Sequence, residues 1–292
     1  MAGLWLEREL DSLSRFEGAT EDELAARSFP ALREAVEHVI AAAERLGGTG
    51  DPVVQQAASL LGLVPGVRIG DDGRVLEWHR DDLAEVEPHH RHVSHLGFLY
   101  PGEQATSPAE EAAAERSLLA RGDEATGWSL VWKACLWARL GRPERVQALL
   151  ELYLRPAERE GERDRSGLYR TGLYRTGLYP SLFSEHPPFR IDGNFGIVAA
   201  LAECLVQSHR GEIALLPALP AAMADGTVRG LRARPGIAVD MTWSEGAVTV
   251  LALRALGPGA LGVHRVRHGN CALEVELTDL APVRVDLAAL AA

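Results

Sequence analysis

The chain has 292 residues, of which 47% are hydrophobic and 24% are charged, a balance typical of a soluble globular protein with a substantial core. Its formal net charge of −11 argues against a nucleic-acid groove, which needs clustered Lys and Arg. The three cysteines are odd in number and far apart, so they form neither a disulfide framework nor a Cys-x-x-Cys metal site.

The N-terminal stretch MAGLWLERELDSLSRFEG has acidic residues where a signal peptide needs a basic start and a continuous apolar segment. The most apolar window, residues 195–206, is too short to span a membrane. As written, the sequence therefore predicts a protein without a signal peptide, in the cytoplasm and not in a membrane.

Helical periodicity covers residues 30–46, where Pro30 suits the first turn and the following Gly-Gly pair ends the helix. A second helix is predicted after Asp51-Pro52, in VVQQAASLLGLV. Residues 127–140 predict a third helix, and a turn at Gly141 leads into a fourth to complete an αα-hairpin. The apolar face predicted for the third helix consists of Trp128, Val131, Trp132, Cys135, Leu136 and Leu140.

The run from Phe195 to Val206 predicts one more buried helix, with Asn194 as its N-cap. Beyond about residue 211 the pattern changes to that of strands. IAVDMTW alternates apolar and polar residues, Ser244-Glu245-Gly246 makes a turn, and AVTVLAL returns; ALEVELT and VRVDL indicate two further strands. The predicted fold is mainly α and then β, with domains at residues 1–210 and 211–292.

Residues 167–181, GLYRTGLYRTGLYPS, repeat a five-residue unit that fits neither the helix nor the strand period. A glycine in every unit predicts an exposed loop. We interpret it as a local duplication that lengthens a loop beside a site.

Three polar clusters interrupt the helical pattern: VLEWHRDD at residues 75–82, EPHHRHVSHLGFLYPG at 87–102 and HPPFRIDGNFG at 186–196. Each combines charged or amide side chains with aromatic residues. That mixture is what a polar small-molecule pocket requires.

In the second cluster, four histidines, His89, His90, His92 and His95, surround Arg91. A zinc-binding helix of the His-Glu-x-x-His type places its histidines four residues apart, whereas His92 and His95 are three apart and lack the glutamate. We predict no metal and no other cofactor. Two interpretations stay open: histidines that cap a surface loop, and a pocket wall in which His and Arg provide directional hydrogen bonds.

Asp192 is the most informative single residue of the third cluster. The helix dipole and the free backbone N–H groups stabilise an ionised carboxylate just before a helix, and Gly193 permits close approach of a ligand or another segment. Taken alone, such an Asp is better explained as a simple helix cap. The rigid apolar segment 187–189 directly before it favours a functional site.

Several long segments resemble, in this order, the C-terminal part of glycoside hydrolase family 95, the α-L-fucosidases. They are HRHVSHLGFLYPG, TGWSLVWKACLWARL, YPSLFSEHPPFRIDGNFGIVAALAECLVQSH and IALLPALPAAMADGTVRGLRARPGIAVDMTW, and VLEWHRDD is similar to the family's Glu-Trp segment. The resemblance covers roughly residues 28–255. It implies the closing helices of an (α/α)6 barrel followed by a small C-terminal β-sandwich-like domain.

The resemblance also implies an inverting, exo-acting α-L-fucosidase, in which an acid protonates the leaving oxygen while a water is activated on the opposite face of the sugar. In the family an asparagine activates this water, and the aspartate of an Ile-Asp-Gly-Asn motif polarises that asparagine. Asp192 matches this catalytic aspartate. By the same matching, the residues that bind the sugar or adjoin it are Arg91, His92, Glu77, Trp78 and Asn194.

The family's catalytic glutamate and activating asparagines lie in Gln-Met-Asn-Tyr-Trp and His-x-Trp-Glu segments that do not occur in this sequence. We therefore expect the back half of such an enzyme, with a missing N-terminal half as a partner. The expected substrate is a fucosylated oligosaccharide of plant or host origin, with α-L-galactosides as an alternative. The competing interpretation is a noncatalytic carbohydrate-binding or interaction module that has kept the pocket walls.

Overall fold

The computed structural model describes residues 30–61, 64, 66–78, 87–103, 106–156, 177–184 and 191–288. These residues belong to two compact units, one ending at Gly122 and the other beginning at Asp123. Three predicted features lie outside the described residues: the GLYRT units at 167–176, residues 79–82 of the first polar cluster, and the apolar segment 187–189.

The first unit contains helices α1 (Pro30–Leu46), α2 (Pro52–Leu61) and α3 (Pro108–Arg121), and a short 3₁₀ turn at Ser94–Leu96. The bounds of α1 match the sequence prediction, and α1 packs against α2. The sequence analysis missed α3, whose weak apolar pattern is rich in alanine. A capping box fixes its start, because the Ser107 hydroxyl accepts a hydrogen bond from the Glu110 N–H while the Glu110 carboxylate accepts one from the Ser107 N–H.

The second unit begins with α4 (Gly127–Arg139), α5 (Pro143–Leu154) and α6 (Asp192–Leu205). The predicted αα-hairpin of α4 and α5 is confirmed. The prediction of a single apolar face on α4 was wrong, because α4 packs against both α5 and α6 and is buried on nearly all sides, including Ser129, Lys133 and Trp137. Trp128 and Trp132 are only half-buried.

Polar side chains join the C-terminal ends of α4 and α6. The Arg139 guanidinium donates two hydrogen bonds to the Glu203 carboxylate, of 2.5 and 3.2 Å. The Gln207 amide donates to the backbone carbonyls of Ala138 and Glu203, at 2.9 and 3.0 Å. Since the last carbonyls of a helix have no partner within the helix, these bonds fix the two helix ends together.

Strands follow the helices, as the sequence predicts. One sheet has the strand order β1-β2-β6-β7 and the other β3-β4-β5-β8. Buried residues of both sheets form one hydrophobic core. The strands are β1 (Val206–Gln207), β2 (Ile213–Leu215), β3 (Gly226–Ala233), β4 (Ile237–Ser244), β5 (Ala247–Ala255), β6 (Gly262–His268), β7 (Cys271–Leu277) and β8 (Val283–Arg284).

The β4–β5 hairpin has the predicted turn at Glu245-Gly246, with φ of 50° and 76°. The predicted alternation is also present, since Ile237, Val239, Met241 and Trp243 are buried while Asp240 is exposed. Strands β1, β2, β3 and β6 were missed by the sequence analysis, which had placed Val206 of β1 in the preceding helix.

Cys135 and Cys204 are buried on α4 and α6, as the helical pattern predicts. Burial raises the pKa of the Cys204 thiol to about 12, which keeps the thiol protonated. Within the described ranges, no helix is long and apolar enough to cross a membrane.

Candidate functional site

In the first unit, Arg121 connects the first two polar clusters of the sequence. Its guanidinium, at the end of α3, is buried and lies 2.6 Å from a carboxylate oxygen of Glu77. It also donates to the backbone carbonyls of Glu87 and Pro88, at 3.0 and 3.3 Å. The Glu77 carboxylate and the start of the histidine-rich segment are therefore held by one cation.

The histidines after Pro88 are ordered by contacts with one another. The rings of His90 and His92 stack with centroids 4.8 Å apart and planes inclined by 13°. The His92 backbone N–H donates to Nδ1 of His90 at 3.3 Å, and Nε2 of His90 lies 3.8 Å from the Glu87 carboxylate. The stacking fixes the orientation of the His92 imidazole.

Burial, followed by the positive charges of His90 and Arg91, lowers the pKa of His92, and Glu77 opposes this effect. At neutral pH the ring is uncharged, so it offers one donor and one acceptor, the combination that a sugar hydroxyl can use. Among the sequence-predicted site residues of this unit, Arg91 is half-buried and Trp78 remains 37% exposed. Part of the indole is therefore accessible to a ligand.

Among the residues that the structure describes, no group of three or more His, Cys, Asp or Glu side chains is arranged to hold a metal ion. His95, which the sequence analysis placed in the same cluster, is buried, and its Nδ1 has no hydrogen-bond partner among the described residues. His95 is therefore a residue of the protein interior and not an accessible binding residue.

Burial, together with the charges of Arg121 and Arg74, lowers the pKa of His95 to about 3. Between this value and the ordinary pKa near 6.5, the unfolded chain binds a proton that the folded protein does not. We therefore expect the free energy of unfolding to fall with pH below 6.5, by up to roughly 1.4 kcal/mol per pH unit from this residue. Urea unfolding at pH 7, 6 and 5 measures how the free energy of unfolding depends on pH. A His95→Gln variant should show a shallower slope, and an equal slope would contradict the assignment.

In the second unit, Asp192 is the first residue of α6 and its side chain is exposed. One carboxylate oxygen accepts a hydrogen bond from the Gly193 N–H at 2.9 Å. The predicted N-cap role of Asn194 was wrong: the N-cap is Ile191, and Asn194 is already the third helical residue. Since the Asp192 carboxylate takes an N–H of the first turn, the helix begins before Asn194.

Asn194 instead ties the first turn of α6 to a neighbouring segment. Its amide nitrogen donates to the backbone carbonyl of Leu182 at 2.8 Å. Its amide oxygen is buried and has no hydrogen-bond partner among the described residues. This oxygen is an acceptor on the same helical turn as Asp192.

Two glycines allow α4 and α6 to approach each other at their first turns. A Cβ on Gly193 would lie 3.1 Å from a ring carbon of Tyr153 and 3.3 Å from the backbone of Gly127. A Cβ on Gly127 would overlap the hydroxyl of Ser184. A side chain at either position would force these neighbours to move, so the glycines allow the start of α6 to pack closely against α4 and the end of α5.

In the first unit, Arg121 thus joins Glu77 to the start of the histidine-rich segment at Glu87 and Pro88. In the second unit, Asp192 and Asn194 lie on one helical turn. The sequence analysis missed Arg121, Tyr153 and Ser184. A basic residue in the last turn of a helix is common, so Arg121 carried no distinctive signal. Tyr153 belongs to an ordinary amphipathic helical pattern, and only its contact with Gly193 in the folded protein indicates a particular role.

Two family models match the chain: the glycosyl hydrolase family 95 catalytic domain over residues 20–205, and the glycoside hydrolase family 95 C-terminal domain over residues 207–282. Alpha-L-fucosidase 2 of Arabidopsis thaliana is 41% identical over 220 residues, which are 74% of this chain and 25% of that protein. The probable alpha-fucosidase A of Aspergillus oryzae is 35% identical over 246 residues, 74% of this chain and 32% of the relative. The probable alpha-fucosidase A of Aspergillus niger is 32% identical over 206 residues, which are 64% of this chain and 24% of that protein. The chain therefore spans between 24% and 32% of the length of these relatives.

Proposed function

Because the chain belongs to glycoside hydrolase family 95, we propose that it forms part of an exo-acting glycosidase that removes terminal α-L-fucosyl groups from oligosaccharides. The relatives named as fucosidases support the choice of sugar. The observation that carries the proposal is the first turn of α6. There an exposed carboxylate and a buried amide oxygen lie on one helical turn, which packs closely against α4 at Gly127 and Gly193.

The proposed reaction is a single displacement with inversion. A water attacks the anomeric carbon on the face opposite the leaving oxygen, and a carboxylic acid gives that oxygen its proton. Asp192 accepts a hydrogen bond from the amide N–H of a catalytic asparagine, which makes the amide oxygen a better acceptor for the proton of the water. The acid and this asparagine come from family motifs that the 292 residues do not contain.

Sugar binding is assigned to Glu77, Trp78, Arg91, His92 and Asn194. In this proposal Arg91 and neutral His92 bind sugar hydroxyls, and the accessible indole of Trp78 packs on an apolar sugar face. Glu77, fixed by Arg121, accepts from a further hydroxyl. For the fold we propose the closing helices of an (α/α)6 barrel, and the division into residues 1–210 and 211–292 stays a prediction.

The test is release of L-fucose from an α-L-fucosyl oligosaccharide, followed by ¹H NMR so that the first anomer formed is visible. Appearance of the β-anomer before mutarotation supports hydrolysis with inversion. An α-L-galactosyl substrate of the same linkage measures sugar selectivity. The α-anomer as first product would contradict inversion, and a galactoside cleaved faster than the fucoside would contradict the choice of sugar.

A second candidate function, a noncatalytic carbohydrate-binding module, is favoured by one observation. Two of the candidate sugar-binding residues, Glu77 and His92, are held by contacts within this chain, whereas the segments that carry the family's acid and activating asparagines do not occur in it. Calorimetric binding of L-fucose without turnover, lost in Arg91→Ala, would support this function. Neither binding nor turnover by the folded chain would contradict both functions.

A further inference from the structure

Tyr153, near the end of α5, is a buried phenol that the proposed reaction does not use. Only 1% of its surface is exposed, and its ring contacts the place where a Gly193 side chain would be. Among the described residues, the Ser184 hydroxyl is the hydrogen-bonding neighbour of the Tyr153 hydroxyl, but the geometry between them falls outside that of a good hydrogen bond. A buried hydroxyl that is only weakly hydrogen-bonded is unusual, so this position needs an explanation.

The phenol oxygen lies next to the first turn of α6. A Cβ on Gly193 would be 3.2 Å from this oxygen, and the N–H of the same glycine is 2.9 Å from the Asp192 carboxylate. Burial raises the pKa of Tyr153, Ser184 lowers it again in part, and the negative charge of Asp192 raises it further. The hydroxyl therefore stays protonated at neutral pH and is a donor.

Acceptor oxygens lie on the first turn of α6, where the Gly193 N–H already donates to the Asp192 carboxylate. The buried amide oxygen of Asn194 is without a partner among the described residues, on the same helical turn as the Asp192 carboxylate. A water molecule bound between polar groups typically makes about three hydrogen bonds. Tyr153 supplies a donor and Asp192 an acceptor for such a water.

We propose that Tyr153 is a positioning residue for Asp192, its buried hydroxyl donating a hydrogen bond to a water molecule that in turn donates to the Asp192 carboxylate. The bridge fixes the direction of a side chain that is otherwise exposed. Its catalytic meaning rests on the proposed function, because Asp192 can align a catalytic asparagine only if its own orientation is fixed. The water-mediated contact between Tyr153 and Asp192 can be tested whether or not the protein hydrolyses a substrate.

The contact is tested by NMR on protein labelled at Cζ of its five tyrosines. The signal absent from Tyr153→Phe identifies Tyr153. We expect Asp192→Asn to shift this signal at neutral pH and to lower the midpoint of its alkaline titration, since the carboxylate is removed. The matched control is Glu151→Gln, two residues away on α5 with an exposed side chain, which should change neither. An Asp192→Asn variant with an unchanged Tyr153 signal and midpoint overturns the inference.

Activity and stability separate positioning from packing. Tyr153→Phe keeps the ring, so we expect a melting temperature within about 2 °C of the parent and, in a form that turns over, a roughly tenfold lower kcat at unchanged KM. If Tyr153→Phe lost stability but kept the parent kcat, Tyr153 would be a structural residue only, and the inference would be overturned. If the parent does not hydrolyse fucosides at all, the proposed function fails, and the NMR measurement still decides the contact.

Discussion

Replacing Asp192 by asparagine should lower kcat/KM for fucoside hydrolysis by roughly 10²–10⁴-fold, the range expected when the group that drives a proton transfer is lost. The side chain keeps its size, and its amide oxygen can still accept the Gly193 N–H, so the helix start is preserved. What disappears is the negative charge that polarises the partner amide in the proposed mechanism. The loss should therefore fall on kcat more than on KM.

The matched control for this substitution is Asp279→Asn in the β region. Asp279 is also exposed and accepts a backbone N–H, that of Ala281, at 2.8 Å. Both variants should melt at the parent temperature, while only Asp192→Asn loses activity. The measurement uses the chain as it stands, or the chain combined with a polypeptide that carries the remaining family motifs. An Asp192→Asn variant with a tenth or more of the parent kcat/KM would remove Asp192 from the mechanism.

Removing the Glu77 side chain should produce the largest loss of stability. Arg121 is only 2% exposed and Glu77 21% exposed, so Glu77→Ala leaves a buried guanidinium without its carboxylate. Breaking a buried ion pair from one side typically costs about 3–5 kcal/mol, because the remaining charge is not compensated. Urea unfolding followed by tryptophan fluorescence measures the change in the free energy of unfolding.

Two comparisons make this prediction specific. The double variant Glu77→Leu, Arg121→Met removes both charges and should recover most of the loss, since an apolar pair of similar volume fills the space. Glu37→Ala breaks the i,i+4 pair with Arg33 in α1, where 32% and 39% of the side chains are exposed. Exposed pairs contribute about 0–1 kcal/mol, so this control should have little effect. A Glu77→Ala cost below that of the control would contradict the buried-pair argument.

The two predictions separate stability from chemistry. Glu77 is predicted to bind the sugar, but its contact with Arg121 also holds the backbone at Glu87 and Pro88, so its variants change folding and binding together. Asp192 is the exposed first residue of α6, and its side chain makes few packing contacts. A loss of activity at Asp192 is therefore easier to interpret than a loss at Glu77.

The amino-acid sequence determined the features that depend on local order. Hydrophobic periodicity gave α1, the α4–α5 hairpin and the β4–β5 hairpin, since apolar spacing and turn residues act within a few positions. The order of the motifs indicated the family, and the proposed role of Asp192 followed from its match to the family's Ile-Asp-Gly-Asn motif.

Only the tertiary structure decided which side chains meet. The burial of α4 on nearly all sides depends on its packing against α5 and α6. The ion-pair partner of Glu77, Arg121, lies 44 residues away in α3. Tyr153 contacts the first turn of α6 because Gly127 and Gly193 allow the helices to approach each other. Contacts of this kind join residues distant in sequence. Their formation depends on the packing of whole elements, which no local pattern encodes.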